Sequence, residues 1–283
     1  MKNRIPLIIV ASCFVILSQS CKKNNTLTDN DTRQLLIINT AEVLSNDAFK
    51  TFLYTWIRME DSLFHPNNPA NFRYNELCMQ VTLVPFDTTN WPKTLTITFP
   101  DSNCNCNDGL RRLGRIDIII NGKISQVNSS YKISYNNYFV DSKPLIGNKR
   151  LTIIYSEAAT RIVFYDTSEM KIQFGTDYFY WNANHTLDWV LGTSTHSDMN
   201  DDLFHYNGKA TVVPAAENTS DIGSFKSNII QSMKFTNWCF WIRNGEVEII
   251  PENFSSKTVN YADTTCSRHG FYTVNNETFD FDF

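Results

Sequence analysis

The sequence predicts a mainly β fold: an antiparallel β-sandwich, or two related β-modules, with one N-terminal α-helix. Three observations carry this. After Phe72 the chain is a succession of β-branched or aromatic runs, roughly ten residues apart, with no helical segment between them. The composition is aromatic-rich and glycine-poor, with 20 Phe, 12 Tyr and 6 Trp against 10 Gly in 283 residues. Asn121-Gly122 and Asn244-Gly245 read as hairpin turns between runs. At 42% hydrophobic the chain has material for a packed core. With 25 basic against 29 acidic residues and a net charge of -4, it lacks the basic footprint of a nucleic-acid binder.

Residues 1–20 read as a lipoprotein signal peptide. Lys2 and Arg4 precede an apolar run, Ile5 to Leu17, that is too short to span a membrane but suits an export signal. Leu17-Ser18-Gln19-Ser20-Cys21 resembles a bacterial lipobox, with Leu17 one place further from the cysteine than usual. Lipidation of Cys21, with acyl chains such as palmitate, explains an exported N-terminal cysteine better than an exposed thiol does. Two or more chains anchor firmly where one binds only marginally. The expected address is the cell membrane, in particular the outer membrane, with the side it faces left open.

Residues 21–39 read as a flexible tether. From Thr40, a plausible N-cap, apolar residues recur at three- and four-residue spacing through Val43, Leu44, Ala48, Phe49, Phe52, Leu53, Trp56 and Ile57, predicting a helix over 40–66 that Pro66 and Pro69 end. Strand runs follow at Leu77–Val84, Thr94–Phe99, Arg115–Ile120, Tyr131–Val140 and Arg150–Tyr155, forming a first module over 72–160. A second, over 161–283, holds Arg161–Tyr165, Met170–Phe174, Asp177–Trp181, Leu187–Leu191, Lys209–Val213, Trp238–Ile242, Glu246–Ile250 and Thr278–Phe283.

The cysteines hint at a repeat. Cys78 to Cys104 and Cys239 to Cys266 are nearly equal gaps, and Phe99-Pro100-Asp101-Ser102-Asn103-Cys104 matches Tyr261-Ala262-Asp263-Thr264-Thr265-Cys266 as aromatic, any, Asp, any, any, Cys. In an exported chain such pairs read as disulfides, Cys78–Cys104 and Cys239–Cys266, with Cys106 able to replace Cys104. The zinc alternative, Cys104 and Cys106 with Cys266 and His269, has poor spacing for a tetrahedral site.

The phrase Leu95 to Cys104, followed by Asp108-Gly109, Arg111-Arg112 and Gly114-Arg115-Ile116, resembles a family of uncharacterised lipoproteins of Bacteroidota. Tyr135-Asn136-Asn137-Tyr138-Phe139-Val140 with Gly147, Asn200-Asp201-Asp202 and the closing Tyr261–Cys266 phrase extend the resemblance over about residues 72 to 283. Pro100 and Ala262 stand where that family tends to have Gly. The resemblance implies a lipid-anchored envelope protein and attaches no catalytic role to any residue.

Asp198, Asn200 and Asp202 occupy the first three ligand positions of a calcium loop, but Leu203 replaces its glycine and Lys209 its final acid. A loosely bound calcium ion is therefore the only cofactor the pattern leaves room for, against side chains that simply cap a turn. His196 and His205 flank that segment without a fixing geometry. The aromatic runs Tyr178–Trp181 and Trp238–Trp241 place rings on both faces of a strand and read mainly as core, while Trp91, before Pro92, reads as exposed. No nucleophile, phosphate-binding or metalloprotease motif occurs, and no catalytic residue stands out. The sequence thus points to a non-catalytic binding or structural module, with glycan or an envelope protein as partner. The alternative is a secreted glycan-active hydrolase whose carboxylates are unidentified.

Overall fold

The computed structural model describes residues 28–29, 31–65, 79–106, 108–157, 160–195, 198–261 and 266–283, the side chains of 101–105 excepted. Helix α1, Arg33–Phe64, leads into thirteen strands: β1 Gln80–Val84, β2 Lys93–Asn105, β3 Arg111–Ile120, β4 Ser130–Val140, β5 Lys143–Glu157, β6 Arg161–Phe174, β7 Asp177–Leu191, β8 Leu203–Pro214, β9 Phe225–Thr236, β10 Asn244–Pro251, β11 Lys257–Asn260, β12 His269–Val274 and β13 Glu277–Asp282. Among the described residues these thirteen strands form a single antiparallel sheet whose spatial order is the order of the chain. The class among the described residues is mainly β with a single α-helix, as the sequence predicts. Its two expected modules are continuous in one sheet, since β5 and β6, which straddle residue 160, pair from Leu145↔Ile172 to Glu157↔Arg161.

The helix is the axis of the molecule. Every residue from Ala41 to Phe49 is buried, so no face of that stretch reaches water; a helix lying on a sheet would keep a polar face outside. Its side chains touch strands all round. Phe49 packs edge-on to Phe164 of β6, Phe204 of β8 and Phe235 of β9. Phe52 meets Tyr131 of β4. Ser45 accepts from Lys149 of β5, and Gln34 from Lys257 of β11. A sheet that reaches one helix from β3 to β11 must curl around it.

One inward row shows how the sheet makes room. Lys149, Ser168, Ala183, Ala210, Ser227, Ile249 and Lys257 are cross-strand neighbours in turn from β5 to β11, all buried. The four central members are small, which lets the helix approach β6 to β9 closely. Gly208, opposite His185 with φ 146°, lets β8 lie close against β7: a Cβ there would stand 2.2 Å from the Asn184 carbonyl oxygen and 2.5 Å from the His185 ring.

Several sequence expectations change. The helix begins at Arg33, where Asp31 Oδ1 accepts the Arg33 amide, so residues 33–39 are not tether and Thr40 is interior rather than a cap. The apolar block Leu35–Ile38 carries no helical period because it is buried almost all round. Arg161–Tyr165 and Met170–Phe174 are one strand, as are Asp177–Trp181 and Leu187–Leu191. Strands β9, β11 and β12 carry no anticipated run. Trp238–Ile242 is a connection rather than a strand. Asn244-Gly245 sits inside β10 at a bulge against β9, where Gly245 has φ 121°. Asn121-Gly122 opens a longer connection that runs to Ser129.

Candidate functional site

At one end of the curled sheet the connections β2–β3, β7–β8 and β9–β10 surround the middle of the helix. Between them lies a cavity of about 330 Å³, within the range of small-molecule sites. Helix residues Asp47, Lys50, Thr51, Tyr54 and Thr55 form its floor. Their spacing of three and four residues puts them on one helical stripe. Asp108, Leu110 and Arg112 close one side, Met199, Asn200 and Asn237 another, and Trp238 and Phe240 complete the rim.

The floor carries a three-member ion cluster. The Arg112 guanidinium donates to Asp47 through Nε at 3.2 Å and Nη2 at 2.5 Å. It reaches Asp108 through Nη1 at 3.1 Å and Nη2 at 2.6 Å. Tyr138 Oη donates to Asp47 Oδ2 at 3.2 Å, and burial drives its phenol pKa well above the ordinary value. Arg112 and Asp47 are almost fully buried while Asp108 keeps 30% of its side chain exposed. Both pocket carboxylates are thus committed to one cation.

Lys50 is held differently. Its ammonium donates to the carbonyls of Thr236, at 3.3 Å, and Cys239, at 2.8 Å. Among the described residues no carboxylate lies within ion-pairing distance of it. Burial pulls its pKa down to about 8. The carbonyl of Cys239 belongs to a half-cystine: Cys239 and Cys266 form a disulfide with Cα atoms 5.5 Å apart. The bridge ties the β9–β10 connection, which supplies Asn237, Trp238 and Phe240 to the pocket, to the β11–β12 connection.

A second polar cluster is sealed inside the sheet. Lys149 Nζ meets Asp166 Oδ2 at 2.5 Å and Ser45 Oγ at 2.8 Å, and Ser168 donates to Asp166. Tyr206 donates to Glu42. Burial raises Glu42 to about 8 and lowers His185, 3.7 Å away, to about 3. Both are therefore uncharged near neutrality.

The residues singled out in the sequence are distributed as follows. Asp198 Oδ1 accepts from the Asn200 amide and side chain, capping the turn Met199–Asp201. Asn200 lines the pocket. Asp202 is buried, accepts from Trp189 Nε1 at 2.9 Å and from Asn237, and is raised to about 8 by burial. Among the described residues no three metal-ligating side chains converge. His205 stands in register between Asp188 and Lys234, and His196 lies outside the described residues. So do Cys21, Cys78 and the side chain of Cys104, while Cys106 is buried near Arg112, with its thiol pKa raised by burial. Phe99 and Tyr261, the aromatic heads of the repeated phrase, are both buried. Trp91 is half-buried against Trp56, not exposed. Trp181 and Phe179 are core, Tyr180 points out, and Trp238 is 48% exposed at the pocket rim.

Sequence reasoning passed over Asp47, Lys50, Asp108 and Arg112. Their signal was present: a polar stripe, Asp47, Lys50, Thr51 and Thr55, on the helix face opposite the apolar one, and an Asp108-Gly109 turn followed by Arg112. Comparisons of the chain with protein-family models, curated proteins and solved structures return no match. Among the described residues no helix is long and apolar enough to cross a membrane.

Proposed function

We propose that the chain is an outer-membrane lipoprotein, anchored through Cys21, that binds a small polar ligand in the helix-floored pocket and performs no chemistry on it. The observation that carries this reading is the pocket itself: a preformed cavity with convergent polar groups and an aromatic rim. The state of its carboxylates favours binding over hydrolysis. A glycosidase needs one carboxyl as acid and another as base or nucleophile, whereas Asp47 and Asp108 are both engaged by Arg112. The resemblance to Bacteroidota lipoproteins and the lipobox-like segment support the anchor.

Two experiments test the reading. Cys21→Ser should move the protein from the membrane fraction to the soluble fraction and abolish incorporation of labelled palmitate; retention with label would overturn the anchor. A thermal-shift screen of the native protein against sugars, peptides and small metabolites should find a stabilising class. Its stabilisation should vanish in a Trp238→Ala variant. Stabilisation that persists in that variant, or no stabilising class at all, would overturn the pocket.

A further inference from the structure

Resting on that reading of the pocket, we propose that its ligand is an uncharged saccharide: one hydroxyl bridges Lys50 and Asn237 while a ring face lies on the Trp238 indole. The first ground is charge. Lys50 and Arg112 balance Asp47 and Asp108, so the lining is neutral. A charged ligand would leave the site with a net charge, which is costly where the groups around it are largely buried.

The second ground is what the lining leaves unmade. An ammonium has three N–H donors, and Lys50 spends two on the carbonyls of Thr236 and Cys239. Asn237 Oδ1, at the pocket wall, is buried with no hydrogen-bond partner among the described residues. One group wants an acceptor and the other a donor. A sugar hydroxyl is both at once; a carboxylate supplies only the acceptor, and an ammonium only donors. The third ground is the rim. The Arg243 guanidinium stacks 4.5 Å from the Trp238 ring centroid, yet the residue stays 48% exposed. A ring held on one face and open to the cavity offers a platform for the C–H face of a pyranose.

The test titrates the full chain, in a polyoxyethylene detergent that carries no sugar, with neutral cello-, malto- and chito-oligosaccharides and with uronic-acid oligosaccharides of equal length. Tryptophan emission and calorimetry are the readouts. At least one neutral series should saturate and the uronates should not. Lys50→Met should weaken binding about tenfold or more, the scale of one hydrogen bond to a charged group. Trp238→Ala, at an exposed side chain, should weaken it similarly with an unchanged melting temperature, so that a folding defect in the lysine variant cannot decide the matter. Binding of uronates alone, lost in Trp238→Ala, would overturn the neutral-sugar inference and leave the pocket standing. Neutral-sugar binding indifferent to both variants, or no binding by either series, would overturn the inference. Failure of the wider thermal-shift screen as well would overturn the pocket.

Discussion

Glu42 and Asp166 sit within one sealed cluster but answer to different forces. Glu42 is an acid whose neutral form the fold prefers, since burial raises it from an ordinary 4.5 to about 8. A group raised in this way contributes stability that is complete below about 4.5 and is lost as the pH climbs to about 8. Urea unfolding midpoints should therefore fall between pH 6.5 and pH 8, above the range where the buried His185 contributes the opposite trend, with Asp202 acting in the same sense as Glu42, and Glu42→Gln should flatten the fall. An unchanged slope in that variant would refute the assignment. Asp166 is held instead by a buried contact with Lys149. Asp166→Ala strands Lys149 and should cost about 3–5 kcal/mol, whereas Asp166→Leu combined with Lys149→Met should recover most of it. Denaturant unfolding of the two variants makes the comparison.

For single elements, the small-residue row across β6 to β9 sets how closely helix and sheet approach. Ala210, 2% exposed between Ala183 and Ser227, has no space for more atoms. Ala210→Leu should destabilise by about 1–3 kcal/mol or more through overpacking, while Thr211→Leu, outward on the same strand, should be near neutral; equal effects in thermal unfolding would contradict the packing. The same row explains what the sequence hid. Asp166 and Ser168 interrupt the apolar alternation of β6, and Asn182 to His185 that of β7, so each long strand reads as two short ones. Asp166, Ser168 and His185 are not turns but inward residues that meet the buried polar groups of Lys149 and Glu42, while Asn182 and Asn184 face outward. The strand class and the helix stripe were legible because they follow apolar periodicity. The pocket was not, because its lining comes from five segments that only the curl of the sheet brings together.

At the scale of the whole molecule, a disulfide near the C-terminal end and a helix at the N-terminal end meet at the pocket through Lys50. Removing the bridge with Cys239→Ser and Cys266→Ser should lower stability by about 3–4 kcal/mol in the chain-entropy account of a loop this size. It should also weaken pocket ligands, since Trp238 and the Cys239 carbonyl are on the tied connection. A stability loss with unchanged affinity would separate the two roles. The order of the sheet has a consequence for how such a molecule is made. Because each strand pairs with the one before it and the axial helix precedes them all, a chain emerging amino end first delivers its spindle before its winding. Every new strand then finds its partner already in place, and no stretch of sheet edge must wait exposed for a distant segment to be synthesised.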